Sequence, residues 1–236
     1  NMDFDAFAAC VAAQRLHPEA VVGLGRRLAR PVREFWSLHK DRFAAQRTDR
    51  LDLASVERLV VVDVRDRRRL KHVQPVLDRL ASGARIDVHV YDHHPASEHD
   101  LRGSVEGGER RGARTARLVE RIRERGIPVD PVEATLFALG IYTDTAALTL
   151  GSTTPRDVRA AAWLLERGAS LAMVNRYLVQ RFSERQREVL AEILGGTRLE
   201  DLNGLPVGLA RIHRDRHVEG LAEVTSEACR LERHAA

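Results

Sequence analysis

Arg85 to Pro95 reads Arg-Ile-Asp-Val-His-Val-Tyr-Asp-His-His-Pro, and its pattern points to the fold. Ile86, Val88 and Val90 alternate with Asp87 and His89, which is strand period. The run stops on three metal-capable side chains, Asp92, His93 and His94, and Pro95 ends the ladder. Two imidazoles beside a carboxylate at a strand tip can take a divalent cation. Open α/β sheets bind ligands at the carboxyl ends of their strands. Alone, such a triplet also suits a polar surface turn. What makes it a candidate site is that other stretches of the chain end in the same way.

Upstream, Leu59 to Val62 is a continuous apolar run, as expected of a central parallel strand covered on both faces, and it ends on Asp63. A carboxylate at the end of such a strand is costly unless it is paired or metal-bound. Asn1 to Asp5 reads Asn-Met-Asp-Phe-Asp and leads into an alanine-rich helix. Asp3 and Asp5 fall in the loop or first turn of that helix. One of them can be its N-cap, and together they can point two carboxylates at one cation or at two neighbouring ones. Downstream, an apolar helix from Pro131 to Tyr142 runs into Thr143, Asp144 and Thr145. Asp144 is either a turn residue or a further ligand.

The remaining pattern is helix, strand, helix, strand. Glu19 to Leu24 reads as a short strand, Pro31 to Phe43 as a helix and Arg67 to Leu80 as a helix. Residues 96 to 112 read as a polar, glycine-containing loop, without the Gly-Lys-Ser/Thr of a phosphate loop. Ala113 to Arg125 reads as a helix. After Ser152 to Pro155, an N-cap and first-turn signal, three amphipathic helices follow over 156 to 167, 170 to 180 and 183 to 195. A strand near Val207 to His213 and a last helix from Glu219 to Leu231 complete the chain. Alternation of this kind predicts a parallel α/β sheet with helices on both faces. We place a boundary near residues 196 to 205, between a main domain over 1 to 195 and a short C-terminal α/β segment over 196 to 236.

Composition narrows the function classes. The chain has 236 residues, 44% hydrophobic but only 5% aromatic, so its core is mostly Leu, Val and Ala. Few aromatics argue against stacking platforms for long single strands. Lys and Arg total 38 against 34 Asp and Glu. That small excess, nearly all arginine, suits an anionic ligand better than a dedicated DNA binder. The two cysteines, Cys10 and Cys229, have no zinc-knuckle spacing and predict a reducing, cytoplasmic compartment. No apolar run approaches the ~18 residues of a membrane span.

Asn-x-Asp-x-Asp at 1 to 5, the strand-end Asp63, Asp-His-His at 92 to 94, and Gly-Ile-Tyr-Thr-Asp-Thr at 140 to 145 before Ser-Thr-Thr-Pro-Arg-Asp at 152 to 157 occur in an order that resembles the DHH phosphoesterases. That family includes RecJ-type exonucleases, oligoribonucleases, cyclic dinucleotide phosphodiesterases and manganese-dependent pyrophosphatases. The stretch from Gly140 onward is most like the branch fused to CBS and tRNA nucleotidyltransferase modules. The first motif of the family carries a histidine two residues before the Asn, and this sequence starts at Asn1, so truncation is the expected explanation. The glycine-rich motif of the C-terminal substrate domain is represented only by His217 to Ala222.

The resemblance implies a metal set of Asp3, Asp5, Asp63, His93 and Asp144, with Asp63 bridging two ions. His94 and Asp92 are then the catalytic pair, His94 on the phosphate. Oxygen-dominated ligation with an imidazole favours Mn²⁺ or Mg²⁺. The implied activity is metal-dependent hydrolysis of a phosphate ester in a nucleotide or short oligonucleotide, with tRNA as a partner through a fused module. The alternatives are a non-catalytic nucleotide-sensing module and a pyrophosphatase.

Overall fold

Among the described residues, the β-structure consists of two parallel sheets and an antiparallel hairpin. The computed structural model describes residues 2–25, 27–92, 97–106, 112–178, 182–203, 205–213, 215, 218 and 220–232. Its first helix, α1, is Phe4–Leu16. β1 (Val22–Leu24) pairs parallel with β2 (Ala45–Arg47), and α2 (Arg30–His39) connects them. β3 (Arg58–Val62) pairs parallel with β4 (Asp87–Tyr91) through α3 (Gln74–Ala81), and β4 pairs parallel with β5 (Ser104–Glu106). The α/β class and the parallel pairing agree with the sequence pattern. Among the described residues, however, the sheet is in two pieces. A cavity of about 1070 Å³, lined by Cys10 and Ala13 of α1, Val22 and Gly23 of β1, and Leu59 to Val62 of β3, reaches Asp63.

The β3–β4 sheet has its own apolar layer of Val61, Val88 and Val90 with Leu70 and Leu101. The larger core belongs to helices. α1 and α5 (Pro131–Asp144) are apolar nearly all round, as helices buried on every side must be. Phe7, Phe137, Leu136 and Leu139 are fully buried there. Each such side chain stabilises the fold by about 1.5–3 kcal/mol. α4 (Arg114–Glu124) packs against both through Leu118, Val119 and Ile122. At Gly140 of α5 the helices pass very closely: a Cβ there would lie 2.6 Å from the Thr115 hydroxyl and 2.7 Å from the Ala8 Cβ. Only glycine allows that crossing, and the crossing brings three helix ends together.

Several elements differ from expectation for local reasons. The helix expected over 67 to 80 is two 3₁₀ turns, Arg67–Arg69 and Lys71–Val73, followed by α3. Pro75 cannot continue a helix running into it but can start one. The helix expected over 31 to 43 ends at His39 and tightens into a 3₁₀ turn over Lys40–Arg42. β5 lies inside the stretch read as loop; its three residues pair with His89, Val90 and Tyr91. α5 continues to Asp144, which is its last residue rather than part of a following turn.

By its contacts the chain separates into units of residues 1–178 and 179–236. The first also contains α6 (Pro155–Glu166) and α7 (Leu171–Leu178). The second contains α8 (Glu184–Gly196), the antiparallel pair β6 (Arg198–Leu202) and β7 (Leu205–Leu209), and α9 (Leu221–Glu232). β6 was not legible as a strand, because its charged residues hide the period. No helix among the described residues is long and apolar enough to cross a membrane.

Candidate metal centre

Four carboxylates from three parts of the chain gather where α1 and α4 begin and where β3 and α5 end. Asp3 is the N-cap of α1, and its Oδ1 accepts the Ala6 N–H at 2.9 Å. Asp5 lies in the first turn and is buried at 3% exposure. Its Oδ1 accepts the Thr115 hydroxyl at 2.8 Å and the Thr115 N–H at 3.3 Å, both from the start of α4. A helix N-terminus is a favourable place for a carboxylate. Even so, burial and the neighbouring Asp144 push the Asp5 carboxyl up to about 6, against the opposing pull of Arg114 and Thr115.

Asp63 follows β3, and its N–H donates to the Tyr91 carbonyl at 2.9 Å. Its φ of 64° is left-handed. For a non-glycine residue that conformation costs of order 1–3 kcal/mol and concentrates at functional sites. Asp144 sits at the carboxyl end of α5, where the helix dipole disfavours a negative charge. Burial raises its carboxyl above the ordinary range, Arg114 opposes this, and Asp3, Asp63 and Asp157 add to the rise. Asp144 is thus coupled to each of the other three acids expected from the sequence.

The group that joins three of them is Arg114, the first residue of α4. Its guanidinium meets Asp63 Oδ1 at 2.6 Å through Nε, and Asp5 Oδ2 at 2.9 Å and Asp144 Oδ1 at 3.8 Å through one terminal nitrogen. Sequence reasoning did not single it out among so many arginines. One signal was available: a cation at a helix N-terminus opposes the dipole and needs a local reason. Gly112 and Asp157 anchor the approach to Arg114. Asp157, fully buried, accepts the Ala113 N–H at 2.8 Å and the Thr154 N–H and hydroxyl at 2.7 and 2.8 Å. Gly112, at φ 87°, passes so close that a Cβ would lie 2.8 Å from that carboxylate.

Asp92 is buried just past β4, with Arg65 Nε 3.6 Å from its carboxylate; the same Nε lies 3.0 Å from Asp100. His93 and His94, both candidate site residues, lie outside the described residues, as do Asn1 and His217. Among the described residues no three His, Cys, Asp or Glu side chains close on a single ion position. The donor set still suits a hard divalent cation. Asp3, Asp5, Asp63 and Asp144 offer only oxygens, and the last three share one guanidinium, so they call for more positive charge than Arg114 supplies.

No family model matches the chain. An A-adding tRNA nucleotidyltransferase of Geobacter sulfurreducens is 38% identical over 226 residues, 94% of this chain and 25% of that protein. The enzyme of the same description from Aquifex aeolicus is 31% identical over 216 residues, 91% of this chain and 24% of that protein. The chain thus spans about a quarter of the length of these curated relatives. Among solved structures, an exopolyphosphatase-related protein from Bacteroides fragilis superimposes with a TM-score of 0.66 at 15% identity, covering 84% of this chain and 59% of the other. A Methanococcus jannaschii protein assigned to the family II inorganic pyrophosphatases gives 0.52 at 17% identity, covering 98% and 78%. The chain shares the α/β fold of these two proteins.

Proposed function

We propose that this chain is the phosphoesterase module of a tRNA nucleotidyltransferase-related polypeptide and hydrolyses a phosphate ester in a nucleotide or short oligonucleotide with divalent metal. The observation that carries the reading is the convergence of Asp5, Asp63 and Asp144 on one cationic position beside Asp3, with Asp63 held left-handed at the strand end. Asp3, Asp5, Asp63, Asp144 and His93 are the residues that would hold Mn²⁺ or Mg²⁺. When bound, such ions supply Lewis-acid polarisation and charge neutralisation at a phosphoryl group. The rest of the work falls to side chains. Thr115 fixes the Asp5 carboxylate, Arg65 holds Asp92 at the base of the strand tip, and His94 gives a proton to the leaving oxygen.

The test is a screen for hydrolysis products from a dinucleotide, a short RNA and pyrophosphate, with Mn²⁺ and with excess chelator. Turnover of the dinucleotide or RNA that disappears with chelator and in Asp63→Asn supports the reading. Undiminished activity in chelator refutes it. Turnover of pyrophosphate alone points to a pyrophosphatase. A second reading, a non-catalytic nucleotide-binding module, is favoured by one observation: a guanidinium already stands among the acids. Tight nucleotide binding without turnover would select it.

A further inference from the structure

We infer that Arg114 is a tethered cation standing in for one divalent ion, so that this chain holds one tightly bound ion where its carboxylate set resembles a two-ion site. The inference rests on the metal reading above and adds an assignment to a residue outside the expected ligand set. The position is the first argument. The guanidinium touches Asp5 from α1 and Asp63 from the end of β3, with Asp144 of α5 3.8 Å away, in the space those three acids share. A hard divalent ion sits roughly 2.0–2.2 Å from its carboxylate oxygens. An ion shared by the same three acids and the guanidinium therefore exclude each other.

Anchoring is the second argument. Arg114 begins α4, and the residue before it is tied by its N–H to buried Asp157, while the residue after it is tied to Asp5. The side chain is only 18% exposed. A freely swinging surface arginine would yield to an ion; this one is built into the junction of α1, α4 and α6. Charge is the third argument. An arginine cannot shed its proton in a protein, so its positive charge stays among the acids whatever the pH. It opposes the dipole of its own helix, and the carboxylates offset that cost.

The experiment is a Mn²⁺ titration of the chelator-stripped 236-residue chain, read by calorimetry and by the electron paramagnetic resonance of free Mn²⁺, beside thermal unfolding with and without Mn²⁺. Wild type, Arg114→Met, Arg114→Lys and Asp63→Asn are compared. Wild type should take up one ion tightly. Arg114→Met should take up a second, or bind Mn²⁺ on the order of tenfold more tightly, because a competing unit charge a few ångströms away is gone. Its melting temperature should fall in chelator and recover with Mn²⁺ more than that of wild type. Arg114→Lys keeps the charge but cannot span three acids, so its affinity should fall between the other two. If Arg114→Met does not fold, the lysine variant decides. Equal stoichiometry and affinity in wild type and the arginine variants, with binding lost in Asp63→Asn, overturns the inference and leaves the metal reading standing. No Mn²⁺ uptake by any form overturns both.

Discussion

Replacing Asp157 by Asn tests whether the candidate centre is held in place by the join between α4 and α6. The side chain is fully buried, and its two oxygens accept three hydrogen bonds. Oδ1 takes the Ala113 N–H; Oδ2 takes the N–H and hydroxyl of Thr154. Asparagine has the same shape but one acceptor oxygen. If that oxygen keeps both Thr154 donors, the new NH₂ faces the Ala113 N–H, donor against donor. A hydrogen bond to a charged group contributes about 1.5–3 kcal/mol, and stranding a buried donor costs about 1–3 kcal/mol. The expected loss is therefore about 2–4 kcal/mol. For a unit of this size that lowers the melting temperature by roughly 5–15 °C. Urea unfolding at pH 7, followed by circular dichroism, measures it through a lowered midpoint at unchanged slope. A loss under about 0.5 kcal/mol would refute the account, because it would mean that the carboxylate does not join the two helices.

Three further predictions concern the centre and its packing. Asp5 titrates near 6 in the fold against an ordinary 3.8, so the folded state binds its proton more tightly. Its contribution therefore falls as pH rises from about 3.8 to 6, by about 3 kcal/mol in full. Asp5→Asn should flatten that part of the stability profile in chelator-containing buffer; an unchanged slope would show that Asp5 is not the titrating group. Gly140→Ala improves helix propensity by about 1 kcal/mol yet should destabilise by about 1–3 kcal/mol through overpacking against Thr115 and Ala8. Thermal melts should show Ala8→Gly restoring part of the loss, and a stabilised Gly140→Ala would contradict the close crossing. Burial, Asp63 and Asp5 push the Cys10 thiol up to about 12, so a disulfide reagent at pH 8 should label Cys229 well before Cys10; equal rates would argue against that environment.

The sequence by itself determined the local signals. Apolar Leu59 to Val62 ending on Asp63, and the alternation of Ile86 to Val90, marked adjacent parallel strands, because burial on two faces and strand period leave direct traces in residue type. Asp3 was legible as a possible N-cap, and Ser152 to Pro155 as a helix start, because both depend on residues a few positions apart. The acids of the centre were legible as types at element ends. Only the tertiary structure decided what lies between them. Arg114 is 51 residues from Asp63 and 109 from Asp5 in sequence, and its role depends on Gly140 letting α1, α4 and α5 cross closely and on Asp157 fixing the start of α4. Neither interaction has a period or a spacing. The gap between the β1–β2 and β3–β4–β5 sheets was hidden for the same reason, since strand order across a sheet depends on which edges meet and not on the composition of either strand.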